Sequence, residues 1–252
     1  KVDNMRLANK NILITGATSG IGLTSLEKSI QEGAFVIFTG RNKENVDNLQ
    51  KKYPNQTLGI VNDSSKINEQ RELIEILKSK NIGLDAIFVN AGNVMHKPFD
   101  AWTPEDFDAI FDTNVKGPFF FIQAASSILN DGASIVFSGT ADIHFALDHS
   151  DLYAASKITL RSFVRTLSKE FIDRKIRFNL LSPGPTNTPA FDKVAPTPEI
   201  KQALIDSIAH LVPAKRMAET DEIASAFIYL ASDESRYMIG TELLLDGGTV
   251  NL

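Results

Sequence analysis

A chain of 252 residues with 43% apolar side chains can bury one large α/β core or two small ones, which removes disorder as the default. Its 26 basic and 31 acidic side chains leave a formal charge of −5 with no run of five like charges, which speaks against nucleic acid and anionic membrane as partners. The absence of cysteine excludes disulfides, thiol catalysis and cysteine-ligated zinc, and with four histidines no metal site is expected.

In chain order, residues 1–4 ahead of Met5 read as a remnant or a trimmed terminus. The start has neither an apolar signal region nor an Arg-rich presequence, and no stretch reaches about 18 apolar residues, so a soluble cytoplasmic protein is expected. Short apolar runs then recur: "NILIT" at 11–15, "FVIFT" at 35–39, "LGIV" at 58–61, "AIFV" at 86–89, "SIVFS" at 134–138, "IRFNLL" at 176–181 and "ELLLD" at 242–246. They read as buried strands. Between them lie amphipathic segments such as "NEQRELIEILKSK" at 68–80. Strand alternating with helix predicts one α/β domain over 1–252, a Rossmann-like doubly wound sheet of about seven parallel strands with helices on both faces. In such a sheet ligands bind beyond the carboxyl ends of the strands. Residues 183–213 hold six of the ten prolines and a helical patch, "PEIKQALIDSIAHLV"; the segment is either a substrate lid or a surface excursion.

After the first strand stands "TGATSGIG", with Gly16, Gly20 and Gly22 around Thr18, Ser19 and Ile21. Glycines permit a tight turn and bare the helix N-terminus, whose amides and dipole favour a phosphate, so the turn predicts a dinucleotide. At the end of the second strand, where a carboxylate would hold a ribose 2′-hydroxyl, the chain reads "FTGRN", with no acid from Phe35 to Asn42. Gly40 repels nothing and Arg41 offers a fork of donors to a 2′-phosphate. NADP(H) is therefore expected over NAD(H).

"LYAASKITL" at 152–160 carries Tyr153 and Lys157 four residues apart, on one face of a helix. With "TGATSGIG", "VNAG" at 89–92, "TNVKG" at 113–117, "YAASK" at 153–157, "SPGPTNTP" at 182–189 and "LLLDGG" at 243–248, in this order and spacing, the chain resembles the short-chain dehydrogenase/reductase family from about Leu7 onward. The resemblance implies a catalytic set of Asn114, Tyr153 and Lys157, with Thr140 at the position usually held by serine and Ser138 two residues before it. It further implies adenine contacts from Asp63 and Ser64, a cofactor floor from Asn90, Ala91 and Gly92, and carboxamide contacts from Thr188 after Pro183, Gly184 and Thr186. In that scheme Tyr153 is the proton donor, Lys157 lowers its pKa and grips the nicotinamide ribose, Thr140 polarises the carbonyl, and Asn114 holds a water.

The function expected is an NADP(H)-dependent reductase of a ketone or aldehyde, acting on a small molecule; a non-catalytic NADP-binding sensor is the alternative, and an epimerase or dehydratase ranks lower. The helix at 119–129 and the Tyr153 helix are expected to pair subunits into a homodimer or homotetramer. Asp142, His144, Asp148 and His149 crowd the loop before Tyr153 without a G-x-S-x-G elbow or an i, i+4 histidine pair, so they are read as substrate-mouth or solvent residues rather than a triad or a metal site. Phe145, Leu147 and Phe191 suggest a partly apolar substrate pocket.

Overall fold

The computed structural model describes residues 5–252; the reading of residues 1–4 lies outside them. Nine strands, β1 (Asn11–Ile14), β2 (Phe35–Gly40), β3 (Thr57–Val61), β4 (Leu84–Val89), β5 (Leu129–Ser138), β6 (Arg177–Pro183), β7 (Thr186–Asn187), β8 (Ala218–Glu219) and β9 (Glu242–Leu245), are interleaved with helices. Seven form one parallel sheet in the order β3-β2-β1-β4-β5-β6-β9, while β7 and β8 pair separately. The expected seven-stranded sheet is present. The chain winds outward from β1 to β3 and then from β4 to β9 on the other side, so the direction reverses between β1 and β4 and opens a crevice at their carboxyl ends.

The helices are α1 (Gly20–Gln31), α2 (Lys43–Lys52), α3 (Ile67–Ser79), α4 (Pro104–Phe111), α5 (Gly117–Ala125), α6 (Asp151–Glu170), α7 (Phe191–Val194), α8 (Pro198–Leu211) and α9 (Thr220–Ala231). Alternate strand residues point to two separate cores. Ile12, Ile14, Val36, Phe38 and Phe88 meet α1 and α9, where Phe88 and Phe227 stack at 4.6 Å. Leu13, Ile37, Ile87, Ile135 and Phe137 meet α3, α5 and α6. Each such fully buried side chain contributes about 1.5–3 kcal/mol, so the two layers fix the sheet register on which the crevice depends.

Two boundaries differ from expectation. The helix read at 119–129 ends at Ala125, and β5 starts already at Leu129, which pairs with Leu84 across a register shift. "SSILN" therefore closes a turn into a longer strand, and Leu129 joins Phe121, Ile122 and Ala125 of α5 in the core. Between α4 and α5, Asp112–Lys116 forms a π-helical turn. Inserting one residue into a helix redirects side chains, and Asn114 is the buried side chain of that turn. No helix among the described residues is long and apolar enough to cross a membrane.

Candidate active site

The site begins where β1 ends. Thr15 Oγ1 accepts hydrogen bonds from the backbone N–H groups of Asn90 and Ala91, both at 3.0 Å, and Asn90 Nδ2 donates to the carbonyls of Thr15 and Gly16 at 3.2 Å. The segment after β4 is thus sewn to the glycine turn. Gly16 sits at φ +63°, and a Cβ there would lie 3.0 Å from the Ala91 backbone. A Cβ on Gly22 would strike the Gly16 carbonyl and approach Asn90 Nδ2 at 2.6 Å. Gly22 therefore packs the turn from beneath and does not line the cavity.

Ser19, at the N-cap of α1, makes no side-chain capping bond and the first turn carries no acid. Its amides and dipole face the crevice as an anion site. Close backbone approach, bare amides and a neighbouring arginine suit the pyrophosphate and ribose of a dinucleotide.

A cavity of about 510 Å³ runs from this turn across the sheet. At one end it is lined by Gly16, Thr18, Ser19, Gly20, Ile21, Arg41, Asp63 and Ser64. Asn90, Ala91 and Gly92 form its middle, and Thr140, Tyr153, Lys157, Pro183, Gly184, Thr186 and Thr188 the far end. Burial pushes the Asp63 carboxyl up, but hydrogen bonds from Ser65 N–H (2.9 Å) and Oγ (2.8 Å) and the charge of Arg41 hold it below its usual value. Sequence reasoning missed Thr39, Asn62, Asn93, Val94, Thr113, Gly139, Pro189 and Ala190 as lining residues. Their only signal is position, since all but Thr113 stand at or within five residues of a strand's carboxyl end.

The far end brings together three side chains of the catalytic set that the resemblance implies. Helix α6 carries Tyr153 and Lys157 on its buried face, and Lys157 Nζ donates to the Ser138 carbonyl at 2.7 Å while lying 5.8 Å from the Tyr153 ring centroid. Burial lowers the Lys157 pKa to about 8. Tyr153 departs from expectation. Burial first, and the charge of Asp142 second, push its phenol above the usual tyrosine value, with the Thr140 hydroxyl pulling the other way. Within the chain the lysine ammonium is turned to a backbone carbonyl and does not offset the burial.

Thr140 is buried and lines the same end of the cavity as Tyr153, and its Oγ1 accepts from Asp142 N–H at 3.3 Å. Ser138 contributes its carbonyl to Lys157. Asn114 lies behind the cavity wall: Oδ1 accepts from Asn93 N–H at 2.7 Å, and Nδ2 donates to the Asn93 carbonyl at 2.9 Å and to Ser156 Oγ at 3.0 Å. The side chain expected to hold a water thus clamps the segment after β4. A Cβ placed on Gly92 would be 3.4 Å from Lys157 Nζ and 3.5 Å from Asn114 Oδ1, so these three residues converge.

Phe145, Leu147 and Phe191 do not line the cavity; Val94, Pro189 and Ala190 supply its apolar wall instead. The loop after Thr140 turns outward because His144 Nε2 is held by both carboxylate oxygens of Glu242, at 2.9 and 3.0 Å. The His149 carbonyl accepts from Lys97 N–H at 3.1 Å, tying this loop to the one after β4. Among the described residues no group of three or more His, Asp or Glu is placed to hold a metal ion.

A family model described as enoyl-(acyl carrier protein) reductase matches residues 16–250. The chain is 33% identical over 250 residues to a 3alpha-hydroxysteroid dehydrogenase of Mediterraneibacter gnavus, covering 96% of this chain and 98% of that protein. It is 32% identical to a 3-oxoacyl-(acyl-carrier-protein) reductase of Thermotoga maritima, covering 98% and 100%. Among solved structures, a short-chain dehydrogenase/reductase of the glucose/ribitol dehydrogenase type from Brucella melitensis superposes with a TM-score of 0.90 at 25% identity, covering 97% and 98%.

Proposed function

The chain belongs to the short-chain dehydrogenase/reductase family of oxidoreductases, and from that premise we propose that it is an NADP(H)-dependent reductase of a ketone or aldehyde. The observation that carries this reading is the convergence of Thr140, Tyr153 and Lys157 at one end of a cavity whose other end is a bare helix N-terminus beside Arg41. When bound, the nicotinamide supplies the hydride that enters the carbonyl carbon. The chain supplies the rest. Tyr153 delivers its proton to the carbonyl oxygen, and its high phenol pKa keeps that proton in place at neutral pH. Thr140 donates a hydrogen bond to the same oxygen as negative charge develops on it. The Lys157 ammonium holds the ribose and counters the phenolate that forms once the proton has left. Asn114, whose Oδ1 keeps a second lone pair, anchors a water through which Tyr153 is reprotonated.

The dinucleotide-binding set is Gly16, Thr18, Ser19, Gly20, Ile21, Arg41, Asp63, Ser64, Asn90, Ala91, Gly92, Pro183, Gly184, Thr186 and Thr188, with Gly22 supporting it from below. NADP(H) over NAD(H) rests on two observations: Arg41 lines the cavity, and a Cβ on Gly40 would lie 2.6 Å from Thr18 Cγ2, leaving no room for a carboxylate that holds a 2′-hydroxyl. Residues 183–213 act as the lid in this reading. Pro189 and Ala190 line the cavity, and α8 beyond them has no buried residue. A cytoplasmic homo-oligomer completes it, pairing through the exposed Phe107, Phe119 and Ile158 of α4, α5 and α6. The non-catalytic alternative draws on the missing serine; the reach of the Thr140 hydroxyl to Tyr153 weighs against it.

The test is the oxidation of NADPH and of NADH, followed by absorbance, against a panel of ketones, aldehydes and diketones. Consumption of NADPH in preference to NADH supports the reading; binding of either cofactor with no turnover of any carbonyl compound supports the sensor instead.

A further inference from the structure

Thr140 opens the single 3₁₀ turn Ala141–His144, and its Oγ1 accepts from Asp142 N–H at 3.3 Å. That bond takes one lone pair of the hydroxyl and steadies its oxygen, which leaves the O–H proton free to donate into the cavity that Thr140 lines. The turn is weakly held from within: Ile143 N–H reaches the Thr140 carbonyl at 3.5 Å, the outer limit of a hydrogen bond. At its far end stands His144, whose Nε2 lies 2.9 and 3.0 Å from the two carboxylate oxygens of Glu242. An ionised carboxylate only accepts, so Nε2 carries the hydrogen.

Glu242 is well placed to hold that turn. It is the first residue of β9, its backbone is set by pairing with Leu180 of β6, and its side chain is only 11% exposed. The same carboxylate is approached from α6, where Arg161 Nε stands 3.9 Å from Oε2 and Nη1 donates to the Gly240 carbonyl at 3.4 Å. Tyr153, Lys157 and Arg161 follow at four-residue steps along α6 and so share one of its faces. Glu242 therefore fastens to the sheet both the turn that begins at Thr140 and the helix that carries Tyr153. From these contacts we propose that the bond between His144 and Glu242 positions the reaction, holding the Thr140 hydroxyl, through the turn between them, against the carbonyl oxygen that Tyr153 protonates. The proposal rests on the reductase reading and adds two positioning residues to it. Neither side chain lines the cavity, so they act through Thr140. Such an effect is large enough to measure, because a donor aimed at developing charge loses up to about 100-fold in rate when displaced by about 1 Å.

The test measures kcat, KM and NADPH binding for His144→Leu, His144→Gln and Glu242→Met, and for His144→Leu added to Thr140→Val, with the ketone, aldehyde or diketone that the wild type reduces fastest. His144→Leu and Glu242→Met should each lower kcat by about 10-fold or more, while KM and the affinity and stoichiometry of NADPH stay within about two-fold. His144→Gln, which keeps a donor near the place of Nε2, should recover kcat to within about three-fold of wild type. In the Thr140→Val background, assayed at raised enzyme concentration, His144→Leu should cost less than about two-fold, because the hydroxyl it positions is gone. A full ten-fold loss in that background, unchanged kcat in both single variants, or an equal loss in His144→Gln and His144→Leu overturns the positioning role and leaves the reductase reading standing. Thermal melts that show His144→Leu and Glu242→Met unfolded make the bond structural and overturn the role as well. A wild type that reduces no carbonyl compound with NADPH overturns the reductase reading, and the proposal goes with it.

Discussion

Lys157 Nζ donates a 2.7 Å hydrogen bond to the carbonyl oxygen of Ser138, the last residue of β5. That bond joins α6 to β5 and holds Lys157 only 4% exposed, at a cost to the fold. Burial brings the pKa from an ordinary 10.5 to about 8, so between those values the unfolded chain binds more protons and stability rises with pH. Below pH 8 the full penalty is present, about 3 kcal/mol. In urea unfolding without cofactor, the wild type should gain stability from pH 8 to 9.5, below the range in which Tyr153 ionises. Lys157→Met should be more stable at pH 7 by up to that amount, lose the pH slope and lose turnover. A variant less stable than wild type at pH 7 would show that the hydrogen bond outweighs the desolvation.

Asn114 is read here as a clamp before it is anything else. Its amide satisfies both the N–H and the carbonyl of Asn93, and Ser156 Oγ as well. Asn114→Ala takes this partner from the half-buried Asn93 N–H and carbonyl, and an unsatisfied group costs about 1–3 kcal/mol, while Ser156 Oγ keeps its bond to the Tyr153 carbonyl. A destabilisation of about 3 kcal/mol is expected in urea, together with a fall in kcat, since the segment after β4 carries Gly92 and Asn93 into the cavity. Unchanged stability with reduced kcat would assign Asn114 to proton relay alone.

The sheet and the glycine turn were legible because both follow from local physics. Apolar runs such as "FVIFT" and "AIFV" bury on both faces, and glycine at 16 is required by its φ. The far end of the cavity was less so. Helical spacing puts Tyr153 and Lys157 on one face, and only the family resemblance gives them roles, while Asp142 presses on the phenol because a turn, a histidine and a carboxylate from β9 hold it there. Phe145 and Leu147 looked like pocket residues by type, yet the same tether directs them to solvent. The π-helical turn at Asn114 has no counterpart in a periodicity of 3.6.

Thr140 differs from serine by a methyl that limits its rotamers, while its hydroxyl keeps the same donor. Thr140→Ser should therefore stay within a few-fold of wild-type kcat, whereas Thr140→Val, which keeps the shape and removes the donor, should lose about 100- to 1000-fold. Cofactor affinity, read by NADPH fluorescence, should hardly move in either. An active Thr140→Val variant would shift the role of carbonyl donor elsewhere, with Ser138 another hydroxyl lining the cavity.

The proposed choice of NADPH over NADH rests on Gly40, Arg41 and Thr18 together. Arg41→Ala removes the only basic side chain lining that end of the cavity among the described residues, and should weaken NADPH by about 10- to 100-fold while leaving NADH nearly unchanged. Gly40→Asp alone should not create an NADH enzyme. A Cβ at Gly40 would lie 2.6 Å from Thr18 Cγ2 and 3.1 Å from Val46, so the new carboxylate arrives with a clash in the glycine-rich turn itself. Adding Thr18→Gly to Gly40→Asp relieves the closer contact, and the pair should bind NADH more tightly than either single variant, with a coupling visible in a double-mutant cycle of dissociation constants. Additive effects would mean that Thr18 moves aside at no cost, and the steric part of the preference for NADPH would fall, leaving only the charge of Arg41.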